Sequence, residues 1–290
     1  MLPKAKPPLP ASAPKTALPA GACDSHFHMV AGPEEYPRWP ERVEDPADGS
    51  FADWLERLRQ QMRQLGIARG VVVQSILYGT DNRILVDSIH QLGSSHFRGI
   101  GLLRDGAEEQ KLDDLRAAGI TGLRLNYVHG GVLTWPGAKA LAPALAERGM
   151  HLQILIQSDC HMQDLAADIR ALPIPVVVDH IGWPDLNRGL QDPGFQLLCQ
   201  LLAEGQVWVK LSALFRFCAA AYERADPLVA ALAAANPQQC LWGSDWPYLM
   251  MADAERPDPG ALLDALYCVV SRQEDRQAIL VDNPARLYGF

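Results

Sequence analysis

Eight short runs of apolar, β-prone residues recur along this chain, at 22–25, 70–74, 97–102, 121–125, 151–156, 176–180, 207–211 and 240–244. Each is continuously apolar more than alternating, which is how strands covered on both faces read. Between them lie stretches with helical character, at 51–65, 80–92, 110–118, 138–148, 162–172, 194–203, 226–235, and 260–266 with 274–280. Strands buried on both faces and separated by helices imply a parallel sheet wrapped by those helices. Eight such units, with no linker between 21 and 290, predict one α/β domain, a closed (β/α)8 TIM barrel. The competing open, doubly wound sheet would bring a glycine-rich phosphate turn after an early strand. No G-x-G-x-x-G or Walker-type sequence is present.

Residues 1–20 are different in kind. Pro3, Pro7, Pro8, Pro10, Pro14 and Pro19 stand among small residues, so this segment is expected to be a disordered tail outside the barrel domain of 21–290. Lys4, Lys6 and Lys15 accompany no unbroken apolar stretch, and no export signal is read there. Cys23, Cys160, Cys199, Cys218, Cys240 and Cys268 form no C-x-x-C pair. They read as free thiols of a reducing, cytoplasmic setting. No run approaches the ~18 apolar residues of a membrane span. The net charge of −8 argues against a nucleic-acid partner, since phosphate neutralisation needs a basic footprint. A homo-oligomer remains compatible with this composition.

In such a barrel the working side chains project from the C-terminal ends of the strands. The first run ends in Asp24-Ser25-His26-Phe27-His28, and strand alternation sends both histidines to the same side, into the barrel mouth. Other run ends carry Gln74-Ser75 with Tyr78 beyond, Arg124-Leu125-Asn126-Tyr127, Gln157, Asp179-His180, and Lys210-Leu211-Ser212 with Arg216 beyond. The last carries Gly243-Ser244-Asp245-Trp246-Pro247. Taken singly, His180 reads as a core histidine and Asp245 as a helix cap. Three histidines and a carboxylate at one rim read together as a catalytic site. Lys210, inside a strand, is expected to be ion-paired near it, because an unpaired buried ammonium is costly.

The segments Asp24–His28, Val178-Asp179-His180-Ile181-Gly182, Trp208–Ser212 and Leu241–Pro247, closing with Asn283-Pro284-Ala285-Arg286-Leu287-Tyr288, resemble the amidohydrolase superfamily. The likeness is to its branch of 2-pyrone-4,6-dicarboxylate lactonase and sugar-lactone hydrolases, and it spans essentially all of 21–290. The resemblance implies a hydrolase acting on ester bonds that opens a lactone by water attack. Asp245 would be the general base, His180 would polarise the carbonyl, and His26 and His28 would complete the polar floor. A carboxylate can take a water proton and an imidazole N–H can stabilise an oxyanion, so the residue types suit the chemistry.

The resemblance also implies that no cofactor is required. A two-metal site of the superfamily kind would need a lysine after the fourth strand and a histidine ending the fifth, where Arg124 and Gln157 stand. A single zinc on His26, His28 and Asp245 is chemically reasonable. Arg124 and Arg216 face the expected mouth of an acidic protein, and guanidinium forks match carboxylates, so the expected substrate is small and anionic. Ser75, Tyr78, Tyr127, His129, Gln157 and Tyr248 complete the candidate binding set. Two other readings use the same residues: a metal-dependent nonoxidative decarboxylase of the superfamily, and a non-catalytic barrel.

Overall fold

The computed structural model describes residues 2–251, 254 and 256–290. Its strands are β1 (Cys23–Phe27), β2 (Arg69–Val73), β3 (Phe97–Gly101), β4 (Ile120–Asn126), β5 (His151–Leu155), β6 (Val176–Val178), β7 (Val207–Ser212) and β8 (Cys240–Gly243). They form one sheet in sequence order, every adjacent pair parallel, so the expected barrel is the observed fold. The seam between first and last strands is closed by hydrogen bonds from Asp245 N–H to the His26 carbonyl (2.8 Å) and from His28 N–H to the Trp246 carbonyl (2.7 Å). Gly243 permits that approach, since a Cβ there would sit 2.6 Å from the His26 Cβ.

The helices are α1 (Phe51–Leu65), α2 (Arg83–Leu92), α3 (Glu109–Ala117), α4 (Trp135–Glu147), α5 (Ser158–Ala171), α6 (Pro193–Ala203), α7 (Asp226–Ala235), α8 (Pro259–Val269), α9 (Gln273–Gln277) and α10 (Asn283–Tyr288). Helix α1 shows why they form where they do. Ser50 caps its first turn through a reciprocal pairing with Asp53, and Gly66 ends it in the left-handed region (φ 77°). The apolar row Trp54, Leu55, Leu58, Met62 and Leu65 is buried against the barrel.

One expectation needed correction. The sixth strand stops at Val178, short of the expected 180, because His180 and Ile181 turn into the left-handed region (φ 54° and 49°). The proline-rich segment has neither helix nor strand, yet it is packed on the barrel. Three of its amides find acceptors there: Ala5 N–H donates to the Asp45 carbonyl (2.7 Å), Ser12 N–H to Asp258 (2.9 Å) and Lys15 N–H to Asp264 (2.8 Å). Among the described residues no helix is long and apolar enough to cross a membrane.

Candidate active site

The period-two pleat of β1 puts Asp24, His26 and His28 on one face in successive layers. Asp24 lies lowest. Its carboxylate accepts from the Ser244 amide (2.9 Å) and hydroxyl (2.5 Å), pinning β1 to the chain leaving β8. Burial pushes its pKa up to about 6, against the pull of those hydrogen bonds. His28 stands nearest solvent, with Nδ1 2.7 Å from the Val73 carbonyl. A carbonyl only accepts, so Nδ1 carries the hydrogen and Nε2 is presented inward.

His180 and Asp245 both occupy left-handed backbone (φ 54° and 59°), which costs a non-glycine residue about 1–2 kcal/mol. Such strain persists where surrounding contacts over-determine it, commonly at working sites. His180 Nδ1 lies 2.8 Å from the Ser212 hydroxyl at the end of β7, and burial holds its pKa down to about 4, so the ring is neutral at neutral pH. In the tautomer that accepts from the Ser212 hydroxyl at Nδ1, His180 carries its hydrogen on Nε2, facing the pocket.

Asp245 divides its two oxygens. Oδ2 accepts from Arg216 Nε (2.9 Å) and Nη2 (2.7 Å). Oδ1 is buried without a hydrogen-bond partner and faces three imidazoles, with His28 Nε2 at 3.3 Å, His26 Nε2 at 3.7 Å and His180 Nε2 at 3.9 Å. Burial alone would raise the Asp245 pKa, but Arg216 and the imidazoles hold it well below the usual carboxylate range. It is therefore ionised throughout the neutral range.

Beneath these groups runs a fully buried polar layer. Lys210 Nζ donates to Gln153 Oε1 (2.6 Å), lies 3.4 Å from Asp179 Oδ1 and 3.2 Å from His26 Nδ1. Gln153 Nε2 donates to the other Asp179 oxygen (3.0 Å). Lys210 thus has its counter-ion, and burial lowers its pKa to about 8.

Above opens a narrow pocket of about 40 Å³. Its walls include His28, Ser75, Arg124, His129, His180, Arg216 and Asp245 from the candidate set, together with Asn126, Trp183, Leu249 and Met250. His26 forms the floor under them, completely buried. Four candidates are not brought to the lining. The Tyr78 hydroxyl is spent on the Ala31 amide (2.8 Å) and carbonyl (3.2 Å). Tyr127 stacks on His161 (5.1 Å between centroids), and Gln157 donates its backbone N–H to the same ring (3.1 Å). Tyr248 is buried edge-on to Phe215 at 5.3 Å. Arg216 does line the pocket, but its Nε and Nη2 are directed to Asp245 and the Leu249 carbonyl (2.9 Å). Arg124 gives Nη1 to the Gln74 carbonyl (3.2 Å), while its Nε is buried without a hydrogen-bond partner.

The family pattern described as amidohydrolase matches residues 23–290. The chain belongs to the amidohydrolase family. It is 35% identical to the 2-pyrone-4,6-dicarboxylate hydrolase of Comamonas testosteroni, over 96% of this chain and 93% of that one. It is 30% identical to the 4-sulfomuconolactone hydrolase of Hydrogenophaga intermedia, over 94% and 90% of the two chains. A probable 2-pyrone-4,6-dicarboxylic acid hydrolase from Acinetobacter baumannii, solved with citric acid bound, superposes with a TM-score of 0.80 at 21% identity, covering 93% of this chain and all of that one. That likeness carries the fold.

This amidohydrolase has a donor set that fits a single metal ion, although its membership differs from the expected one. His26, His180 and Asp245 offer atoms within 4.8 Å of one another, with His180 in the place expected for His28. The His26 Nε2 and Asp245 Oδ1 atoms in this set are those left without hydrogen-bond partners. Two imidazoles and a carboxylate suit zinc. Two contributors escaped sequence reading: Gln153, whose only signal was an amide inside an apolar strand, and Asn126, whose Oδ1 accepts from the Val128 and His129 amides (3.0 and 2.9 Å) and shapes the loop carrying His129.

Proposed function

We propose that this amidohydrolase hydrolyses the lactone ring of a small carboxylated molecule, such as 2-pyrone-4,6-dicarboxylate or a sugar-acid lactone. The supporting observation is Asp245 Oδ1, ionised, without a hydrogen-bond partner, and facing three imidazole nitrogens at the floor of a pocket that also holds Arg124. Asp245 Oδ1 and His28 Nε2, 3.3 Å apart, both belong to residues lining the pocket, where an incoming water can donate a hydrogen to the carboxylate. Asp245 takes a proton from that water as its oxygen bonds to the lactone carbonyl carbon. The His180 Nε2 hydrogen stabilises the charge arriving on the carbonyl oxygen. Collapse breaks the ring C–O bond, and the proton held by Asp245 passes to the leaving oxygen, giving an open hydroxy acid. Each contribution is worth about 10²–10³ in rate or more.

Arg124 supplies the partner for the substrate carboxylate, and the relatives named for dicarboxylate and sulfonated lactones support an anionic substrate. His26, His180 and Asp245 are the residues that would hold a zinc ion, which would polarise the carbonyl and lower the pKa of water. A reducing, cytoplasmic setting is consistent with six unpaired cysteines. The test is a pH-indicator screen of pyrone and sugar lactones, run with and without chelator. Ring opening in both arms supports the metal-free route. Loss with chelator, restored by zinc, supports the zinc-assisted one. No hydrolysis of any lactone overturns the proposal, and stoichiometric zinc with carbon dioxide release would then favour the decarboxylase.

A further inference from the structure

Asp245 is steadied by Arg216, and Arg216 is itself steadied from a distant part of the chain. Its Nη2 donates to the Leu249 carbonyl (2.9 Å), and the next residue, Met250, donates its amide hydrogen to the Glu44 carboxylate. Glu44 sits in the loop between β1 and α1, only 2% exposed, and no feature of the sequence singled it out. The segment it grips needs an external hold. Asp245, Tyr248 and Met250 all lie in the left-handed region (φ 59°, 66° and 63°), each at a cost of about 1–2 kcal/mol.

The loop that carries Glu44 is itself anchored. Asp45 accepts from Arg38 Nη1 (2.8 Å) and Arg42 Nε (2.7 Å) through its side chain. Its backbone pairs with the N-terminal segment, donating to the Pro3 carbonyl (2.9 Å) and accepting from the Ala5 amide (2.7 Å). A path of alternating hydrogen bonds and peptide links thus runs from the proline-rich segment through Asp45, Glu44, Met250, Leu249 and Arg216 to the proposed base.

We propose that Glu44 is a positioning residue for Asp245: its carboxylate fixes the turn at 249–250 so that the Leu249 carbonyl locks the Arg216 guanidinium on Asp245 Oδ2, leaving Oδ1 free for water. This rests on the lactonase reading for its kinetic consequence, while the tie itself is structural. The role depends on reach and on an acceptor oxygen more than on charge. Glu44→Gln keeps both, and Glu44→Asp falls one methylene short.

The experiment combines lactone hydrolysis with amide exchange of a peptide spanning 245–251, in full-length protein. Glu44→Asp is expected to lower kcat at least ~10-fold with KM within ~2-fold, because a misplaced base acts on the transition state. Glu44→Gln should stay within ~3-fold of wild type. In an Arg216→Met background, Glu44→Asp should change kcat by less than ~2-fold, since both substitutions interrupt one path. Exchange at Met250 should quicken in the Asp variant and not in the Gln variant. Equal losses in both backgrounds, a Gln variant as impaired as the Asp one, or unchanged exchange would each overturn the proposal. Lack of lactonase activity in wild type would instead sink the functional reading, and exchange would still decide the tie.

Discussion

Arg216 sets both Nε and Nη2 on a single oxygen of Asp245, at 2.9 and 2.7 Å, and leaves the second oxygen to the imidazoles. The arrangement separates two demands on one carboxylate. One oxygen neutralises a partly buried guanidinium, which fixes the carboxylate plane, and the other keeps its lone pairs for a proton. A carboxylate held well below its usual pKa is a weak resting base, so its contribution has to come from placement against a water already directed at the carbonyl.

Asp245→Asn keeps the size and one acceptor oxygen but turns the other into a donor and removes the negative charge that takes the proton. We expect kcat to fall at least ~100-fold, with circular dichroism unchanged. Rates within a few-fold of wild type would remove Asp245 as the base.

Arg124 lines the pocket without being turned onto Asp245, and its Nε stands 3.8 Å from Asp179 Oδ2. Charged hydrogen bonds are worth about 1.5–3 kcal/mol, so Arg124→Met is expected to raise KM for carboxylated lactones by about 10–100-fold. Neutral lactones should change little. A comparable rise for both would show that Arg124 shapes the pocket without recognising charge.

Ser212 acts on His180 alone. Ser212→Ala removes the hydroxyl 2.8 Å from Nδ1, freeing the ring to take the other tautomer and withdraw the Nε2 hydrogen from the pocket. Turnover should fall about 10-fold, and KM should hold, as for a group that acts only on the developing oxyanion. A change confined to KM would contradict the role given to His180.

The readable part of this site was the part governed by regular geometry. His26 and His28 followed from strand alternation, and the topology placed them beside His180 and Asp245. Lys210 was legible as a buried cation needing a partner, and Asp179 is that partner, 3.4 Å away. Loop residues were not legible in the same way. Tyr78 and Tyr127 lie beyond strand ends, where no periodicity fixes direction, and both turn to local partners. Arg216 was placed at the mouth, but its hold on Asp245 was not legible because both residues lie in loops, and Glu44 escaped assignment because its contact to Met250 joins loops 206 residues apart. The contacts of the N-terminal segment were not legible for a related reason. Composition shows that it lacks a core of its own, and says nothing of the acceptors the barrel offers it.

His151 gives a stability prediction at the opposite end of the barrel from the pocket. It is fully buried against Tyr288, 5.5 Å between centroids, and its Nε2 has no hydrogen-bond partner. Burial, aided by Lys210, holds its pKa down to about 3, against 6.5 for a free histidine. The folded chain therefore keeps the ring neutral while the unfolded chain protonates it below pH 6.5. Its contribution is complete above that pH and is lost as the pH falls toward 3, where the folded form also takes a proton. Between pH 7 and 5 the loss from this residue is about 2 kcal/mol. Urea melts of wild type and His151→Gln at both pH values isolate it from the other depressed histidines, His26, His129 and His180, which stay in both proteins. The Gln variant should be less stable at pH 7 and lose about 2 kcal/mol less on acidification; equal losses would mean that His151 is solvated or already paired in the folded state.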